Sequence, residues 1–127
     1  MNAHLVRLIG LVQDAAASRD QQAFEHPEDI RYAQAADRLR RVAKNLLGLS
    51  AENSLISRYN MTVQKIFDQG DPDLVTHCLT AIEKVFIGRI GFPGGAMAID
   101  AVRILSSLIT RIEKEFEMRC GGGAHYR

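Results

Sequence analysis

The sequence has no tryptophan, only two cysteines and three prolines, and no apolar run long enough to cross a membrane. Each shortage removes a class of protein. Without about 20 consecutive apolar residues there is no transmembrane helix to expect. Cys78 and Cys120 lie far apart in different contexts, so they suggest reduced thiols rather than a disulfide framework. A surplus of one charge is also missing: 16 Lys plus Arg stand against 15 Asp plus Glu, which leaves no overall field to draw the chain onto nucleic acid or anionic lipid. A nucleic-acid role would need a local patch. Nor is the chain short of apolar residues, at 46% hydrophobic and 24% charged, and this excludes a disordered reading.

Residues 5–12, LVRLIGLV, followed by Ala15, Ala16 and Ala17, imitate a secretory signal. The imitation fails because Arg7 interrupts the apolar segment, Gln13 and Asp14 stand where small residues belong, and no basic region precedes it. The expectation is a cytoplasmic protein with no membrane partner.

What is present is helical periodicity over 127 residues, one domain's worth of chain, able to bury roughly two-thirds of its unfolded surface. The organising stretch is 94–118, which has no proline or glycine after Gly95. Unbroken, it would run about 35 Å at 1.5 Å per residue. Ala98, Ala101, Val102, Ile104, Leu105, Leu108, Ile109, Ile112 and Phe116 crowd one side of its wheel, with Arg103, Ser106, Ser107, Thr110, Glu113, Lys114 and Glu117 opposite. An arc this broad predicts a central helix with at least two neighbours.

Upstream, 3–18 predicts an amphipathic helix with Leu5, Leu8, Ile9, Val12, Ala15 and Ala16 inward, Arg7, Gln13 and Asp14 outward, and Val6 and Leu11 off the apolar arc. The polar run 19–27 reads as a connection in which Phe24 anchors to the core and Pro27 opens the second helix. From 30 to 47 Tyr32, Ala33, Ala36, Leu39, Val42, Ala43, Leu46 and Leu47 share a face, and Gly48 terminates. A third helix runs from a Ser50 cap to about Gln69 through Leu55, Ile56, Tyr59, Val63, Ile66 and Phe67, with weak helix formers around Tyr59 and Asn60 that invite a break. Gly70-Asp71-Pro72-Asp73 closes that helix and caps a fourth, extending to Gly88 or Arg89 and burying Val75, Cys78, Leu79, Ile82, Val85, Phe86 and Ile90. Gly88, Gly91, Pro93, Gly94 and Gly95 make a short turn into the last helix, which favours antiparallel packing. The expected architecture is all-α: a compact bundle of four to five helices over residues 1–119, the last helix at its centre, and a flexible glycine-rich tail at 120–127.

Catalytic chemistry finds little purchase. His77 and Cys78 are neighbours, about 100° apart on a helix, and cannot easily share a metal; His4, His26 and His125 have no ligand spacing with Cys120. The glycines before the last helix lack the Lys-Ser or Lys-Thr of a phosphate loop and no strand leads into them. Glu113, Glu115 and Glu117 alternate with Arg111 and Lys114 as an exposed face would. No enzyme, metal or cofactor is expected. Two readings of function remain. The first is a protein-interaction or regulatory module that self-associates or binds another protein, with Val102, Leu105, Ile109, Ile112 and Phe116 spaced 3-4-3-4 as a dimer seam. The second is a DNA-binding regulator using Arg38, Arg40, Arg41, Lys44 and Arg58 around a degenerate helix-turn-helix over 42–58, in which one extra residue separates Ala43 from Gly48 and Ile56 comes about two positions late. The first is preferred, because a solvated helix face also accounts for those cations.

Overall fold

A computed structural model describes residues 3–49, 52–93 and 101–116 of the chain. Five helices make up its order: α1 (Ala3–Glu25), α2 (Ile30–Leu47), α3 (Ser54–Gln69), α4 (Pro72–Ile90) and α5 (Ala101–Phe116), with no strand among the described residues.

The helix boundaries follow local chemistry. Residues 19–25 continue α1 instead of forming the expected connection: Arg, Gln, Ala and Glu are good helix formers, and their polarity reflects exposure. Arg19 donates to Gln22 at 2.7 Å and Gln21 to Glu25 at 3.2 Å along this turn, and the chain leaves the helix at His26, just before Pro27. Phe24 therefore sits on the outside of a helix and anchors nothing. Pro27 does not open α2. That role belongs to Asp29, whose carboxylate accepts from the Arg31 N–H at 3.1 Å.

Asn53 caps α3 by accepting from the Leu55 N–H at 2.9 Å; the expected cap, Ser50, lies outside the described residues. α3 runs through Tyr59 and Asn60 as regular helix, so the weak propensity there is overridden by packing. The start of α4 is as expected, with Asp71 capping and Pro72 in the first turn. The last helix is described for 16 residues; the rest of 94–118, and the tail at 120–127 with Cys120 and His125, lie outside the described residues.

One apolar core takes residues from all five helices. The most extensive helix pair is α1 with α2, followed by α3 with α5. Among the described residues α4 meets each of the other four helices, whereas α5 does not touch α1. The expected centrality of the last helix therefore finds no support here. Gly91, which closes α4, is required by space, since its φ of −87° is ordinary. A Cβ there would lie 2.5 Å from Leu39 Cδ1 and 3.1 Å from its Cγ, and Leu39 is fully buried in α2.

Two outcomes follow. Gly91→Ala should destabilise the chain by about 1–3 kcal/mol, the usual range for overpacking, and most of that loss should vanish in a Leu39→Ala background, as urea unfolding would measure. The hydrogen bonds from the Arg31 side chain and then its N–H hold the Asp29 carboxyl at about 2, below its ordinary 3.8. A depressed carboxyl stabilises above its unfolded value, so this cap should be intact above about pH 4 and lost as pH falls through about 2. Carboxyl NMR titration should find that low midpoint, and Arg31→Ala should raise it.

Candidate functional site

The core contains one charged residue among those described, Glu83 of α4, at 0% exposure. Burying a carboxylate is costly unless it is paired, and this one is paired from two other helices. Arg7 of α1 donates through Nη1 to Oε1 and through Nη2 to Oε2, the latter at 3.0 Å. Tyr59 of α3 donates its hydroxyl to Oε2, and Arg7 Nη2 lies 3.4 Å from the Tyr59 oxygen. Burial first, and the Glu83 charge second, push the Tyr59 phenol above its ordinary 10.0, so it stays a neutral donor. No buried side-chain nitrogen or oxygen among the described residues lacks a partner. Every member of this cluster is occupied by another, which makes it a pin joining α1, α3 and α4. Arg7, expected to face water, bends inward to form it.

Because Glu83 takes a core position, the rest of α4 is turned accordingly. Ile87 is buried beside it, and Val85, expected in the core, is 58% exposed on the opposite side. Leu74 shares that side at 64%, and Phe92, in the turn past the Gly91 cap, is 62% exposed. Between them fall Cys78, Ala81 and Gly88, and a Cβ at Gly88 would meet nothing within 4 Å. Within α4, positions 74, 78, 81, 85 and 88 are spaced 4-3-4-3, the repeat that keeps one stripe facing a partner helix. It is flanked by His77 and Lys84 on one edge and Arg89 on the other. After Asp73, the buried Glu83 is the sole acid in α4. Beside Arg89, a shallow cleft of about 320 Å³ between α4 and α5 is lined by Phe86, Arg89, Ser107, Thr110, Arg111 and Lys114. Arg111 pairs with Glu115 at 3.8 Å; Arg89 and Lys114 have no ion-pair partner among the described residues.

The residues singled out from sequence are placed elsewhere. Leu105, Ile109 and Ile112 are fully enclosed by their own chain, Phe116 packs against that core, and Val102 is exposed. The broad arc of the last helix thus serves the chain's own core, and a seam built on these five residues would have to open it. Among the cations, Arg40 bridges Asp20 of α1, at 2.6 Å, and Asp37 of α2. Arg38 donates to the Ile90 carbonyl at 3.3 Å and Arg58 to Glu113 at 3.2 Å. Arg41 and Lys44 are left as exposed cations. The backbones of α2 and α3 do not approach each other closely, because α3 packs chiefly on α5. A helix-turn-helix requires those two helices to brace each other.

Sequence reasoning missed Glu83 and the outer stripe of α4. The 4-3-4-3 spacing was available as a signal, but α4 is apolar around most of its circumference and its wheel does not show which side faces in. No group of three His, Cys, Asp or Glu residues able to hold a metal occurs among the described residues, and none of the described helices is long and apolar enough to cross a membrane. Comparison with protein-family models, with curated proteins and with solved structures finds no match.

Removing one partner of a buried ion pair leaves the other uncompensated, so Glu83→Ala should cost about 3–5 kcal/mol in urea unfolding. Tyr59→Phe should cost about 2 kcal/mol, the scale of one hydrogen bond to a charged acceptor. The double replacement Arg7→Met with Glu83→Leu should recover more than half of the Glu83→Ala loss. If the two single losses simply add, the pin does not act as a unit.

Proposed function

We propose that the protein is a non-enzymatic helical interaction module that receives a partner helix along the outer face of α4. One observation carries the reading: Leu74 and Val85 are large, apolar and mostly exposed, in line on a heptad stripe of α4 whose other positions are small, and Phe92 is exposed just past the end of that helix. Scattered exposed apolar residues need no explanation, but a stripe in register over the length of a helix leaves a groove that another helix fits. The small side chains at Ala81 and Gly88 let a second backbone approach closely. Ordinary folding gives no reason for this row, since the other face of α4 already supplies the core.

This reading keeps the interaction module expected from the sequence and moves its surface from the last helix to α4. Self-association through Val102, Leu105, Ile109, Ile112 and Phe116 would need the core to open, so Leu105, Ile109, Ile112 and Phe116 are assigned to folding, while Val102 is exposed. The DNA-binding alternative loses ground because Arg40 and Arg58 are engaged by acids of their own chain and α2 and α3 do not brace each other.

The test compares Val85→Asp with two controls, Met61→Asp on the exposed side of α3 and Ile109→Asp in the core. Val85→Asp and Met61→Asp should each change stability by less than about 1 kcal/mol, whereas Ile109→Asp should unfold the chain. In affinity capture from nuclease-treated host lysate, a stoichiometric protein partner should be retained by the parent and by Met61→Asp and lost with Val85→Asp. Retention of that partner by folded Val85→Asp protein, or loss of everything on nuclease treatment, overturns the reading.

A further inference from the structure

We infer that the occupant of the α4 face is a helix whose own apolar stripe is flanked by aspartate or glutamate, and that Arg89, Arg111 and Lys114 receive its carboxylates. The inference rests on the docking reading above and adds the chemistry of the partner.

Charge decides it. The apolar stripe is edged by His77 and Lys84 on one side and Arg89 on the other, and no exposed acid of α4 follows Asp73. In a helix pair the flanking positions of the two chains face each other, and opposite signs there set partner and orientation. A second copy of this face fits poorly. Two such stripes placed antiparallel would set the Lys84 edge against another Lys84 edge, and placed parallel would set Lys84 against Arg89, so either pairing opposes like charges. An acid-flanked helix meets the same edges with attraction.

The cleft gives that attraction a place. Arg89 belongs both to the edge of the stripe and to the lining of the cleft, so a helix seated on Leu74 and Val85 brings one flank over Arg89, Arg111 and Lys114. Among the described residues Arg89 and Lys114 have no ion-pair partner, and Arg111 holds Glu115 only at 3.8 Å, so an incoming carboxylate has cations to meet without first breaking a tight pair. Ser107 adds a hydroxyl and Phe86 an apolar wall for an aliphatic stem. The stripe covers roughly 80° of the wheel at 100° per residue, narrow for a helix that lies in a membrane surface and suited to a helix-helix seam.

The experiment selects from a displayed library of amphipathic helices about three heptads long, apolar at the seam, with flanking positions randomised among Asp, Glu, Lys, Arg and Gln, against the full chain. Selected binders should carry acids at the flanks, and exchanging those acids for lysine should weaken binding about tenfold or more at low salt, an effect that shrinks as salt rises. Against the folded variant Arg89→Glu/Lys114→Glu the preference should turn to basic flanks, while Val85→Asp should bind none of them. Flanks without charge bias, or with basic bias, on helices that still need Val85 overturn the acidic-partner inference and leave the docking face standing. Binders indifferent to Val85→Asp overturn both. Two further measurements on the chain alone also decide: a dimer in sedimentation that dissociates on Val85→Asp assigns the face to a second copy, and Val85-dependent cosedimentation with phosphatidylserine vesicles assigns it to a membrane. Either result overturns the inference.

Discussion

A carboxylate with no exposure to water constrains this bundle more than any single apolar contact. Apolar side chains tolerate exchange for others of similar volume, whereas the Glu83 carboxylate requires a cation and a donor at fixed positions. Arg7 and Tyr59 supply them from helices that stand 76 and 24 residues away in sequence. If α1 slid or rotated by one residue, the guanidinium would leave the carboxylate and both charges would be stranded. The cluster thus fixes the register of α1, α3 and α4, a use of buried polar groups that apolar packing alone does not provide.

The same pin sets which side of α4 is left outside. With Glu83 turned inward, Val75, Leu79, Ile82, Ile87 and Ile90 follow it into the core, and Leu74 and Val85 are carried to the far side. Rotating α4 to hide them would expose the carboxylate to a position with no partner. A charged residue in the core and an apolar stripe on the surface are therefore two consequences of one orientation, and the docking surface proposed above depends on the pin that creates it.

The surface cations are distributed by a different logic. Around α2 they are drawn to acids of the same or a neighbouring helix, as in the bridge from Arg40 to Asp37 of α2 and Asp20 of α1, and such exposed pairs contribute at most about 1 kcal/mol each. On the α4 and α5 side no comparable acid among the described residues reaches Arg89 and Lys114. A count of positive residues along the sequence points to residues 38–58, where Arg38, Arg40 and Arg58 are engaged by their own chain and Arg41 and Lys44 are exposed.

Much of the fold was legible in the sequence: the all-helical class, the single core, and the turn at 70–73, because helical periodicity, capping carboxylates and proline in a first turn act over three or four residues. The extension of α1 through the polar run 19–25 was not, since a polar exposed helix end and a polar loop have the same composition. The burial of Leu105, Ile109 and Ile112 followed from the apolar arc, but whether that arc met its own chain or another did not. Glu83 was hidden among apolar residues, and only the approach of Arg7 and Tyr59 from distant helices makes its burial affordable. The sequence by itself determined that the chain is helical, which stretches are amphipathic and where α4 begins. The tertiary structure alone decided which face of α4 looks outward, because that choice depends on charges brought together across 76 residues of chain.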